Sequence, residues 1–172
     1  SSGSDVETTE TDVSVAEAPA IDQTSVAASG EGEGEGGVTI AQAATDPVVY
    51  LSALAITEAH VLAARDAYAL GNTDAAAEMF AHPVSEVLAD MQPIFEARGV
   101  AAFSDLLLDA SDAVYESVPA ERIAEHAAEI IAALRAAGAC SPDDGRSESA
   151  VWAGVAADQI DRAADMYAIA LE

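Results

Sequence analysis

Imidazole and carboxylate side chains are where this chain could do chemistry, and the imidazoles are few. Histidines stand only at positions 60, 82 and 126. His82 has Glu86 four residues on, so a helix running through both would put them on one face. His60 lies on a strip of mostly small residues, Ala53, Ile56, Ala63, Ala64 and Ala67. Such a strip leaves room beside the ring for a ligand; it equally suits close helix packing with the imidazole bonded to a carbonyl. Glu58 falls on an apolar stripe, where a carboxylate must be paired or must ligate something. Arg65, seven residues further along the same stripe, is its candidate partner. Together Glu58, His60, His82 and Glu86 make the candidate metal constellation, because imidazole with carboxylate suits iron, zinc or copper. One feature counts against a single mononuclear site: two residues apart, Glu58 and His60 project about 200° from one another around a helix.

The remaining candidates are weaker. His126 and Glu129 share the i, i+3 spacing of di-iron bundles, but those need Glu-x-x-His twice with two further glutamates. Here the order is reversed, occurs once, and has Arg122 a turn before it, so a solvated charged face is expected. Cys140 is the only cysteine, in the loop Gly138-Ala-Cys-Ser-Pro-Asp-Asp-Gly145, and neighbouring acids weaken it as a nucleophile. An unpaired cysteine in an exported protein points to a partner outside the chain, or to a thiol without a role. There is no Gly-x-Ser-x-Gly elbow, no Cys-x-x-Cys, no phosphate loop and no haem-attachment motif. The residues therefore favour binding over catalysis.

Composition narrows the setting. Of 31 acids, nine precede Val38 without a single base, leaving 22 against six arginines in the rest of the chain, a net charge of −16 there. There is no lysine. A surface of that sign repels phosphate, which argues against nucleic acid and against adhesion to anionic lipid, and it attracts cations. Acidic surfaces also serve solubility alone. Residues 1–37, with the run Gly30-Glu-Gly-Glu-Gly-Glu-Gly-Gly37, cannot bury enough apolar surface to fold and read as a disordered acidic tether. Its average span would be about 30–35 Å. No apolar run is expected to reach the roughly 18–20 residues of a membrane span, and no leader is visible, so a signal peptide is expected to have been removed. The opening Ser-Ser-Gly-Ser-Asp resembles the segment that follows the lipid-bearing cysteine of bacterial lipoproteins, although that cysteine is absent. The location implied is periplasmic or extracellular, with a membrane met only through an N-terminal lipid anchor.

The elements that must position the histidines all read as helices. Asp46 as N-cap and Pro47 at the first turn open a helix that runs to about Leu70, with Leu51, Leu54, Val61 and Tyr68 on one stripe. Gly71-Asn72 stops it. Thr73 caps a short helix over 74–81, and His82-Pro83 breaks or kinks it. A helix with the stripe Val84, Leu88, Met91, Phe95 follows, with Pro93 a second kink point and Gly99 its end. A further helix over 101–116 carries Phe103, Leu106, Leu107, Ala110 and Val114. Pro119 opens another, with Ile123, Ala127, Ile130 and Leu134 inward and Gly138 as its stop. Ser147 caps the last, with an inner stripe of Trp152, Ala156, Ile160, Ala163 and Tyr167. No segment has strand periodicity. The expectation is all-α: an up-and-down bundle of about five helices over residues 38–172. The closing Leu171-Glu172 interrupts an apolar helix without a stop signal, as in a truncated chain.

Two resemblances add to this. Tyr68 to His82, Tyr-Ala-Leu-Gly-Asn-Thr-Asp-Ala-Ala-Ala-Glu-Met-Phe-Ala-His, resembles one tetratricopeptide helix-turn-helix but does not recur at that family's 34-residue period, which leaves a generic helical hairpin. Tyr-Leu-x-x-Leu-x-x-x-Glu-x-His from Tyr50 to His60 and Ala-His-Pro-x-x-Glu from Ala81 to Glu86, in an exported acidic bundle, look like imelysin-like periplasmic proteins associated with iron uptake. The resemblance spans about residues 46–98, and that family's Gly-x-His-x-x-Glu motif is not present. It implies a helical, non-enzymatic periplasmic binding domain. The function expected is capture or handling of a metal ion (iron or copper foremost) or haem. The alternative is a tethered helical scaffold that presents a face to an envelope protein.

Overall fold

The computed structural model describes residues 40–169; the acidic tether of 1–37 and the closing Leu171-Glu172 lie outside the described residues. A 3₁₀ turn at Ile40–Gln42 leads into α1, Pro47–Ala69. Asp46 caps it as expected, one carboxylate oxygen accepting from the Val48 amide at 2.8 Å, with Pro47 in the first turn. The helix ends where Gly71 takes φ +80°, a left-handed conformation that costs glycine little. Next come α2 (Thr73–Pro83), a π-helical turn (Val84–Leu88), α3 (Ala89–Ala97), α4 (Ser104–Tyr115), α5 (Ala120–Gly138) and α6 (Glu148–Ile169). Pro83 does not break the chain's helical path. Pro83, Val84, Leu88 and Ala89 all keep right-handed helical dihedrals, and the Ala89 amide donates to Val84, five residues back. The proline's missing donor is absorbed by one wide turn. With α2 and α3 counted as one bent rod, the bundle has five helical rods and no strand among the described residues.

The stripes read from periodicity form the core in four of the five rods. Leu54, Val61, Leu88, Met91, Phe95, Leu107, Val114, Ile123, Ile130 and Leu134 are all buried. α1 is the hub, packing on α2, α5 and α6, while α2 also meets α4 and α4 meets α5. That central place corrects one expectation. α1 is long and apolar enough to cross a membrane, and half of its most apolar stretch is buried inside the bundle. A helix with neighbours on three sides must be apolar on three sides.

The last rod departs from its predicted stripe. Val151 and Val155 face inward, whereas Trp152, Ile160 and Tyr167 are 51%, 67% and 69% exposed. Periodicity alone could not choose between two apolar stripes on α6. Packing chose the one that allows close approach: a β-carbon on Gly154 would lie 2.7 Å from a methyl of Val48, so only glycine lets α6 sit this near α1. Further along, Asp158 bonds Arg162 at 2.9 Å on the outside of this contact. Burial pushes the Asp158 carboxyl up, but the Arg162 guanidinium outweighs it and holds the net value down. Ser52 is buried in α1 and its hydroxyl completes no hydrogen bond within the described residues.

The α1 N-terminus is fastened by Tyr50. Its ring is fully buried, edge-on to Phe95 at 5.9 Å, and its hydroxyl donates to the Ala137 carbonyl at 2.8 Å. Burial, reinforced by Cys140 and opposed by Arg98, pushes the phenol up to about 12, so it remains a donor at any physiological pH. Arg98 lies over the ring at 5.9 Å and donates to the carbonyls of Cys140 (3.1 Å) and Ala44 (2.9 Å).

Two stability effects follow. Tyr50→Phe should cost about 1–3 kcal/mol in urea unfolding, because the buried Ala137 carbonyl loses its donor. Asp46→Ala should cost about 1 kcal/mol at neutral pH. The Asp46 carboxyl is pushed up by burial but pulled lower overall by the Val48 amide and Arg146. Its contribution is therefore complete above the ordinary aspartate range and disappears as pH falls through the lowered folded value. Unfolding curves of the wild type and D46A should converge across that acid range.

Candidate functional site

Two helices that are neighbours in the bundle bring His60 and His82 together. α1 carries His60 on the side facing α2, and His82 ends α2 just before the wide turn. The rings meet edge to face, centroids 5.8 Å apart and planes at 83°. Each ring has one nitrogen fixed. His60 Nδ1 lies 2.9 Å from the Ile56 carbonyl, which can only accept, so that nitrogen carries the proton. In the neutral ring Nε2 is then the nitrogen with the lone pair. His82 Nε2 lies 2.6 Å from a Glu86 carboxylate oxygen and donates to it, which leaves His82 Nδ1 as the second free position. His82 and Glu86 are 26% and 28% exposed, half out of water. Because the helix runs on through Pro83, the i, i+4 spacing does place them on one face.

Imidazoles that bind metals usually hand their second N–H to a carboxylate or a carbonyl, which fixes the tautomer and raises ligand basicity. Both rings have that arrangement. Glu86 is thereby placed behind His82, as its hydrogen-bond acceptor. Among the described residues, no group of three or more histidine, cysteine, aspartate or glutamate side chains is clustered for one ion. The chain's offer is two imidazoles.

Glu58 stands elsewhere. It lines a cleft of about 600 Å³ between α1, α5, the first turns of α6 and the loop joining α5 to α6. The partner expected for it is taken: Arg65 pairs with its neighbour Asp66 at 2.8 Å. Leu51, Leu54, Leu134 and Val151 give the cleft apolar walls, and Trp152 and Arg135 flank its polar side. Sequence alone missed Trp152 and Arg135 as site residues. The visible signal was the lone tryptophan in the first turns of a helix whose two apolar stripes compete.

Other sequence candidates fall away from both places. His126 is half-buried with no hydrogen-bond or ion-pair partner among the described residues, Glu129 is exposed, and Arg122 pairs with Glu125. Cys140 is half-buried and free, its thiol 3.8 Å from the Ala136 carbonyl. Arg146, in the same loop, binds both Asp46 and Asp144 at 2.5 Å and so ties the cleft's rim to the cap of α1.

Comparison of the chain with protein families, with curated proteins and with solved structures returns no match. The imelysin-like resemblance therefore remains an expectation from the motifs alone.

The cleft's width depends on Gly154. In Gly154→Ala the better helix former gains about 1 kcal/mol, while forcing a methyl into a packed contact costs about 1–3 kcal/mol. Overpacking should win, and α6 should pivot from α1. Hydrogen exchange over 148–160 should speed up in G154A while α5 keeps its protection.

Proposed function

We propose that this protein captures or handles a transition-metal ion, binding it without transforming a substrate. His60 and His82 supply the ligands and Glu86 orients His82. The observation that supports this is the convergence of two histidines from separate helices, each with its second nitrogen tied to an oxygen acceptor. Imidazole ligands suit copper, zinc, nickel and iron, with copper(II) the tightest of the divalent series. Water would complete the shell. Haem presents iron to the same imidazoles and belongs in the same test. The −16 charge on the chain after its tether raises the local concentration of cations. An envelope or extracellular setting, an expectation from the sequence, would give such a domain access to scarce metal.

A second reading has its own support. Trp152, Ile160 and Tyr167 form an exposed apolar stripe along α6, and contiguous exposed apolar surface marks interaction sites. On that reading the bundle is a scaffold offering α6 to an envelope protein.

Thermal unfolding of metal-stripped protein against copper, zinc, iron, calcium and haem separates the two. At 100 times the dissociation constant, a ligand specific for the folded state stabilises by about 2.7 kcal/mol. Copper or zinc should raise the melting temperature, and the effect should vanish in the His60→Ala, His82→Gln double variant. Loss of an orienting acceptor typically costs about 10–100-fold in metal affinity, so Glu86→Leu, which removes the acceptor, should weaken binding by that factor. Acidification should weaken it too, since protons compete for the same nitrogens. A panel with no shift, or a shift that survives the double variant, would sink the metal reading.

A further inference from the structure

The cleft between α1, α5 and α6 contains neither histidine of the pair and shares only Trp152 with the apolar stripe along α6. We propose that it is a binding site for an organic cation with an apolar body, such as an alkylammonium or a quaternary amine.

Size comes first. About 600 Å³ falls within the range of small-molecule sites, which are mostly apolar with a few placed polar groups. Leu51, Leu54, Leu134 and Val151 provide walls for a hydrocarbon body. The carboxylates that also line it are not gathered into a group of three or more that could hold one ion among the described residues, which sets this cleft apart from a metal site.

Charge decides what the head group must be. Arg146 is already neutralised by Asp46 and Asp144. Glu58 is half-buried and Glu148 exposed, and neither has an ion-pair partner among the described residues. Asp143 accepts only from the backbone amide of Gly145. Against these three carboxylates the lining holds one uncommitted base, Arg135, whose side chain is exposed to water. An anionic head group would enter a net negative site on a strongly negative domain. A cation would meet Glu58, which sits beside apolar walls, where a contact is least screened. Trp152 also lines the cleft and is half-exposed, and indole is the ring that attracts cations best. Glu58 supports the same choice: it is half-buried and has no ion-pair partner among the described residues, so a bound cation would meet an unpaired carboxylate.

The test uses the full chain and its only tryptophan, Trp152, as reporter. Octyltrimethylammonium, octyl sulfate and octanol are titrated below their micellar range, with far-UV circular dichroism to verify the fold at each endpoint. The proposal expects a saturable change in Trp152 emission with the ammonium compound, at least about tenfold tighter than with the sulfate or the alcohol, the scale of one charged contact. Glu58→Gln should reduce that affinity about tenfold and bring it near the alcohol's. Gly138→Leu is a second variant: a β-carbon there already lies in ordinary contact with Leu51 and Leu54, at 3.6 and 3.8 Å, so a side chain built on it occupies space at the cleft's apolar wall, and circular dichroism checks that the variant folds. It should abolish binding of the ammonium compound and leave metal binding unchanged. The His60→Ala, His82→Gln variant should bind the ammonium compound normally. Absence of saturation, equal binding of sulfate or alcohol, or an unchanged affinity in E58Q would each overturn the proposal.

Discussion

A phenol sealed from water must find its acceptor inside the protein, and the acceptor Tyr50 finds is the end of another helix. Its bond to the Ala137 carbonyl fixes where α5 stops relative to where α1 starts. Phe95 against the same ring places the end of α3, and Phe103, 5.6 Å from Phe95, carries the contact to the threshold of α4. Arg98 then covers the ring and collects the carbonyls of Ala44 and Cys140, two loop groups that would otherwise lack a partner. The ends of α5 and α3 thus meet at one residue of α1, and Phe95 and Arg98 pass the contact on to the neighbouring segments. The walls of the cleft and the approach of α6 are set from this end, because Gly138 and the loop after it begin one residue beyond Ala137.

The far end of α1 is held differently. Tyr68 donates to the Val118 carbonyl at 2.5 Å, tying α1 to the turn before α5, and the Ser111 hydroxyl donates to the Ala77 carbonyl, tying α4 to α2. Between the two ends, the helices meet mainly through alanine and medium-sized aliphatic side chains. Small residues let backbones approach, so modest apolar area still makes a dense core. His60 lies in this middle region, where the α1–α2 contact is close enough for two imidazole rings to touch.

Most of the fold could be read from spacing because α5, the rod after the bend and α4 each carry a single apolar stripe. Ile123, Ala127, Ile130 and Leu134 have no competitor on their helix. α6 has two stripes, one of large aromatic and aliphatic groups and one of two valines beside a glycine. Size pointed to the first, and steric approach selected the second. From spacing alone, His82 and Glu86 share a face only if the helix runs on through Pro83; it does, and local helical geometry then brings them together. The meeting of His60 and His82 depends on how α1 and α2 pack, which no local pattern encodes. Glu58 was assigned Arg65 because the two share a stripe; the guanidinium took the adjacent Asp66 instead, a closer partner needing no reach along the helix. An apolar stretch of the length of α1 looks different in a chain than in a bundle, where the neighbours that make it a hub are visible.

The wide turn after Pro83 has a geometric meaning beyond accommodating a proline. A π turn spends more residues on one revolution than an α turn does, so every side chain after it is rotated about the axis relative to the series before it. The rod is therefore two helices out of rotational phase, joined end to end. Upstream, Ala76, Ala77 and Phe80 are buried where α2 meets α1 and α4. Downstream, Met91 and Phe95 are buried, with Phe95 set against Tyr50 and Phe103. A single uninterrupted α-helix would carry one seam along its length; this one changes seams midway, and the histidine with its carboxylate sits at the change.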